Sequence, residues 1–113
     1  MHQILCMNVI FKDKDLEELI FYHTSKKYKK YAKRTDFVKA LTDIYEILYL
    51  AENAEKLKQF GRLHYEPLKH QYSGCHSVRI RYDWVERLIV KEADGGITIE
   101  MLEINTDHYG NKK

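Results

Sequence analysis

The sequence predicts an α+β domain, with helices packed on one face of a mainly antiparallel sheet. Three observations lead there. Phe37, Leu41, Ile44, Tyr45, Leu48 and Tyr49 share one face at 3.6-residue spacing, which makes 36–50 an amphipathic helix. His76, Val78, Ile80 and Tyr82 alternate with Ser77, Arg79 and Arg81, the period of two expected of a strand. Ala93-Asp94-Gly95-Gly96 then separates two aliphatic runs, Arg87 to Lys91 and Ile97 to Ile104, as a hairpin turn does.

The remaining elements follow in order. Ile4 to Phe11 is aliphatic and stops at Lys12-Asp13, which fits an opening strand. Asp13 or Asp15 supplies the cap of a helix whose apolar positions are Leu16, Leu19, Ile20 and His23. Thr24-Ser25 interrupts that helix, and Thr35 or Asp36 caps the next. The polar stretch 51–60 reads as a further short helix, and Asp83-Trp84-Val85-Glu86 as a turn between strands. The order is therefore β-α-α-β-β-β, and 113 residues without repeats or linkers form one domain over 1–113.

Hydrophobic residues at 44% and charged ones at 32% exclude a disordered chain. No apolar run approaches the roughly 18 residues of a membrane helix, and the N-terminus lacks the pattern of a signal peptide. A cytoplasmic protein without a membrane partner is expected. Cys6 and Cys75 are expected as free thiols, and no CxxC suggests a redox pair or a zinc ribbon.

The net charge of +2 conceals a segregated distribution. Lys26, Lys27, Lys29, Lys30, Lys33, Arg34 and Lys39 face a single acid, Asp36, between His23 and Lys39. The acids gather instead at 13–18, 51–55 and beyond 92. Such segregation suits a polyanion, whose phosphates would supply the affinity. The lysine run is equally readable as a solvated helix face.

If Val78, Ile80 and Tyr82 face the helices, Ser77, Arg79 and Arg81 face the other way. A paired strand could then bring Arg87 beside them. Guanidiniums on an open sheet face match phosphate oxygens bidentately, although a merely cationic face, or salt bridges to Glu100 and Glu103, would use the same residues. Glu66 precedes Pro67, so its backbone is extended at the entrance to the sheet, with Lys69 and His70 close behind. A carboxylate among cations can take a proton, and His108 near the chain end can give one. Such a pair bracketing arginines meets the needs of RNA transesterification. His64, His70 and His76 recur every six residues, but Pro67 and Gly74 separate them and no ligand motif accompanies them, so no metal is expected.

Glu66-Pro67-Leu68-Lys69-His70-Gln71-Tyr72-Ser73-Gly74, Ser77-Val78-Arg79-Ile80, Arg87-Leu88-Ile89 and His108-Tyr109 together resemble the RelE/ParE superfamily of bacterial toxins. The Glu-Pro-Leu-Lys-His…Ser-Gly run and the His-Tyr pair look like the YoeB branch. Val9 to Leu19 and the longer helical half look more like the HigB branch. The turn between Ile80 and Arg87 is longer than in the YoeB-like pattern, and Gly110 to Lys113 extends past the His-Tyr pair that closes it.

The resemblance implies a RelE-like microbial-ribonuclease fold and the toxin of a type II toxin-antitoxin system. Such a toxin is a metal-independent endoribonuclease, without cofactor, that cuts mRNA on the translating ribosome. It also implies a cognate antitoxin, with which the chain would form a hetero-oligomer. Carried over by position, Glu66 is the general base, His108 the general acid and Arg87 the transition-state stabiliser. Tyr109 orients or stacks on RNA. Lys69 and Arg79 hold phosphates, with His70, His76 and Arg81 around them, and Lys26, Lys27, Lys29 and Lys30 meet ribosomal RNA. The superfamily's ParE members, which inhibit DNA gyrase by binding it, supply the alternative, and an inert nucleic-acid-binding module a third.

Overall fold

A computed structural model describes residues 6–105. His108 and Tyr109 lie outside the described residues. The chain runs through β1 (Asn8–Phe11), α1 (Lys14–Tyr22), α2 (Lys29–Ala32), α3 (Thr35–Leu50), α4 (Ala54–Leu57), β2 (Glu66–Pro67), β3 (His76–Arg79), β4 (Arg87–Ala93) and β5 (Thr98–Asn105), with 3-10 turns at 61–63, 70–72 and 94–96. The predicted class and order hold. The short helix expected over 51–60 is α4, and the added pieces are the single-turn helix α2 and the two-residue strand β2, too short to carry a periodicity.

Local chemistry explains the element boundaries. Asp13 caps α1, accepting from the backbone N–H of Asp15 at 3.0 Å and of Leu16 at 3.4 Å. The helix ends at His23, which takes a left-handed conformation (φ 59°) as its C-cap, so His23 is exposed and not part of the predicted apolar face. The longest helix, α3, begins one residue earlier than its stripe suggested, and its cap position is Arg34, not Thr35 or Asp36. It buries Phe37, Val38, Ala40, Leu41, Ile44 and Leu48. Asn53 caps α4 through the N–H of Lys56 at 3.1 Å.

The five strands form one sheet in the order β1-β5-β4-β3-β2, antiparallel except where β1 joins β5 in parallel. Leu88, Val90, Ile99, Met101 and Ile104 meet the buried residues of α1 and α3 in one core. Phe37 is stacked against Tyr31 at 4.2 Å and Trp84 at 5.2 Å, which ties the β3–β4 connection to the helices. Tyr28, buried, donates its hydroxyl to Asp13 Oδ2 (2.7 Å) and accepts from the Ile104 N–H (3.1 Å), joining the start of α1 to β5.

Strand β3 is shorter than its alternation suggested. Ile80 remains buried, but pairing ends at Arg79, and Tyr82 turns out to be 82% exposed instead of facing the helices. The chain leaves the sheet there because Trp84 is drawn onto the Phe37 ring, where it stacks at 5.2 Å. Cys6 and Cys75 are free thiols. No helix among the described residues is long and apolar enough to cross a membrane.

Candidate active site

The face of the sheet turned away from the helical core is organised by strand register. Glu66 stands opposite Ser77, Ser77 opposite Ile89, and Ile89 opposite Glu103, so these four residues form one rung across β2, β3, β4 and β5. The next rung contains Arg79, Arg87 and Asn105. The predicted alternation therefore brings Glu66, Ser77, Arg79 and Arg87 to one face.

Arg87 reaches diagonally between the rungs. Its Nη1 donates to Glu66 Oε2 and to Ser77 Oγ, each at 3.2 Å. Ser77 is fully buried, and the Arg87 side chain is only 18% exposed, whereas that of Glu66 is 45% exposed. A fixed guanidinium thus carries a carboxylate that is open to solvent on its other side. His64 adds an imidazole 3.9 Å from Glu66 Oε1, positioned by its own left-handed backbone (φ 50°).

Extended geometry at Glu66 comes from Pro67, as expected, and the Leu68 N–H to Cys75 C=O bond at 2.9 Å closes the β2–β3 pair. Lys69 and His70 are exposed in the loop that joins those two strands. Tyr72 from the same loop donates to Glu103 Oε2 at 3.0 Å and accepts from Asn105 Nδ2 at 2.7 Å, so the loop reaches over the face.

His76 is not brought to this group. It pairs opposite Val90 on the helix side of β3, where it stacks on Tyr65 at 4.5 Å with its Nε2 3.6 Å from Glu92. Burial lowers the His76 pKa, against the pull of Glu92 and with the help of Lys58. Burial also pushes the Tyr65 phenol far up, reinforced by its 2.7 Å bond to Glu92. Arg81 lies beyond the end of β3, paired with Asp83 at 3.2 Å and stacked on Trp84 at 4.8 Å. Arg87 engages Glu66, from β2, at salt-bridge distance, and Glu103 accepts from Tyr72.

The lysine run divides by role. Lys27 bonds Asp13 Oδ2 at 3.0 Å, and Lys30 lies over the Tyr31 ring at 5.1 Å. Lys26, Lys29 and Lys33 line a groove of about 510 Å³ with His23, Thr24 and Ser25. Among the described residues no group of three or more His, Cys, Asp or Glu side chains converges as metal ligands would.

Ser77, Tyr72, Asn105 and His64 were missed as site residues. Ser77 could have been found, because alternation and the β3–β4 register place it beside Arg87. Tyr72 and Asn105 come from distant segments with no shared pattern.

No protein-family model matches the chain, and no curated protein matches it by sequence. Solved structures do. The YoeB/ParE toxin from Agrobacterium tumefaciens superposes with a TM-score of 0.58 at 16% identity, over 89% of this chain and 99% of that one. A chain of the toxin-antitoxin complex RelBE2 from Mycobacterium tuberculosis gives 0.52 at 17% identity, over 96% and 99%. The YoeB-YefM complex from Staphylococcus aureus gives 0.51 at 17% identity, over 89% and 97%. The chain thus has the fold of the RelE/ParE-type toxins.

Proposed function

We propose that this protein is the toxin of a type II toxin-antitoxin system and acts as a metal-independent endoribonuclease on mRNA in the translating ribosome. The observation that carries this reading is the Glu66–Arg87 pair, set on the sheet face turned away from the helices, with Glu66 half-exposed and Arg79 directly opposite Arg87. Glu66 accepts the proton of a ribose 2′-hydroxyl, and the 2′-oxygen attacks phosphorus. The bond to the 5′-oxygen breaks, and His108 protonates that leaving oxygen. The products are a 2′,3′-cyclic phosphate and a 5′-hydroxyl. Arg87 and Arg79 stabilise the charge gathering on the phosphorane oxygens, where one fixed donor is worth about 10²–10³ in rate.

Lys69 and His70 flank the same face and suit the neighbouring backbone, and Tyr109 is assigned to a base. Lys26, Lys29 and Lys30 suit ribosomal RNA. The antitoxin complexes among the structural neighbours support a cognate antitoxin partner for this chain also.

Primer extension on a reporter mRNA, with and without translating ribosomes, tests the reading with wild type and His108→Ala side by side. Discrete cuts that need ribosomes and vanish in the variant are expected. Intact RNA in every lane overturns it, and inhibition of gyrase supercoiling by the same preparation would establish the ParE-like alternative.

A further inference from the structure

We infer that the groove between the 61–63 turn and the β3–β4 connection is a second RNA subsite, holding the nucleotide on the 5′ side of the cut. The subsite presupposes the ribonuclease reading above and extends it to Arg62 and Tyr82, which that reading does not use. The groove has a volume of about 490 Å³ and is lined by Gly61, Arg62, His64, Arg79, Arg81 and Tyr82.

Three features fit it to a nucleotide. First, its charge is available. Arg62 donates to the Ile80 carbonyl at 3.3 Å and Arg79 to the Tyr82 carbonyl at 3.2 Å, and neither forms a salt bridge among the described residues. Carbonyl bonds leave the positive charge uncompensated and fix the guanidinium, while most of its five N–H donors remain for an anion. Arg81, in contrast, is neutralised by Asp83.

Second, the groove offers an unused aromatic surface. Tyr82 is 82% exposed and its ring contacts no other ring or cation among the described residues. An exposed ring beside guanidiniums is how single-stranded nucleic acid is held, by stacking and by phosphate contacts together.

Third, the groove joins the reacting centre on a defined side. Arg79 belongs both to it and to the rung of Arg87, and His64 belongs both to it and to the surroundings of Glu66. In an in-line displacement the base stands beside the attacking 2′-oxygen, opposite the leaving 5′-oxygen. A groove opening from the Glu66 side therefore continues towards the attacking ribose and the chain 5′ to it. Arg62 holds the phosphate of that segment and Tyr82 stacks on its base, while Arg79 stays with the scissile phosphate at the junction.

The test measures binding of the full chain to a fluorescent single-stranded hexaribonucleotide carrying a 2′-O-methyl group at every position, so that it cannot be cut. Tyr82→Ala is expected to weaken binding at least about fivefold and Tyr82→Phe to leave it unchanged, because stacking needs the ring and not the hydroxyl. Arg62→Gln is expected to weaken binding and to reduce the slope of log affinity against log salt by about 0.7. Thermal melts confirm that each variant is folded. On ribosomes, Tyr82→Ala is expected to change which nucleotide precedes the cut.

Affinity unchanged in both Tyr82→Ala and Arg62→Gln overturns the subsite, as does a wild type that fails to bind the oligonucleotide at low salt. The ribonuclease reading fails separately. Wild type that binds through Arg62 and Tyr82 but never cleaves would keep the RNA groove and remove the catalysis. Wild type that cleaves while both variants bind and cut identically would do the reverse.

Discussion

Arg87 Nη1 lies 3.2 Å from both Glu66 Oε2 and Ser77 Oγ, although Arg87 and Glu66 sit on different rungs and are separated by the whole of β3. One guanidinium nitrogen is thus anchored by a buried hydroxyl and a half-exposed carboxylate at once. A lysine ammonium has neither the planar fork nor the same reach. Arg87→Lys is accordingly expected to reduce cleavage by at least about 10²-fold while melting close to wild type. Single-turnover cleavage alongside circular dichroism checks this; full activity in Arg87→Lys would show that charge alone suffices.

Tyr28 is a polar link between the helical half and the sheet. Burial pushes its phenol up to about 12, so the hydroxyl stays protonated and donates to Asp13. Burial also pushes the Asp13 carboxyl up, but bonds from Tyr28 and Lys27 outweigh this and hold it below the ordinary range. Tyr28→Phe leaves the Ile104 N–H buried without that partner, at a cost of about 1–3 kcal/mol. The urea midpoint should fall with the slope unchanged. An unmoved midpoint would mean that this bond contributes nothing net.

His76 gives stability a pH dependence of defined sign. Its folded pKa is lowered by burial, so between that value and the ordinary 6.5 the unfolded chain binds the proton and the folded one does not. The stabilisation is complete above 6.5 and is lost as pH falls through the folded value. The groups facing it are Glu92, Lys58 and the phenol of Tyr65, of which Glu92 opposes the shift and Lys58 adds to it. Melting temperatures of wild type and His76→Gln, compared from pH 8 to pH 5, should show a steeper acid loss for wild type. Parallel curves would exclude His76 as the source.

The basic run should separate into two effects. Lys27 is paired with Asp13, so Lys27→Gln is expected to cost about 0.2–1 kcal/mol of stability. Lys26→Gln, Lys29→Gln and Lys30→Gln combined should instead weaken ribosome association, with a salt slope shallower by about 0.7–0.9 for each phosphate no longer neutralised. Sedimentation with ribosomes over a salt series checks this. Identical binding at every salt concentration would make the run a solvated face.

Much of the site was legible because its geometry is local to strands. Alternation in 76–79 fixed the face of Ser77 and Arg79. The hairpin signal at Gly95-Gly96 located the β4–β5 pair, but a bulge between Ile89 and Val90 shifts the register by one residue, and it is this shift, invisible in the turn, that places Asn105 opposite Arg87. What was missed depends on contacts distant in sequence. The parallel pairing of β1 with β5 leaves no trace in either strand, and the early end of β3 follows from Trp84 packing on Phe37. His23 fits the helical spacing but closes the helix in a left-handed conformation, which spacing alone does not reveal.

The most direct test of Glu66 as the base that activates a 2′-hydroxyl uses a reporter mRNA with a single 2′-deoxy substitution at the nucleotide preceding the cut. It is presented to translating ribosomes with wild type or Glu66→Gln. Wild type is expected to cut the all-ribose message to a 2′,3′-cyclic phosphate and to leave the deoxy message intact at that position. Glu66→Gln, half-exposed and therefore folded, should slow the ribose cut by about 10²–10⁴. Cutting of the deoxy message at the wild-type rate, or an undiminished rate in Glu66→Gln, would contradict the mechanism.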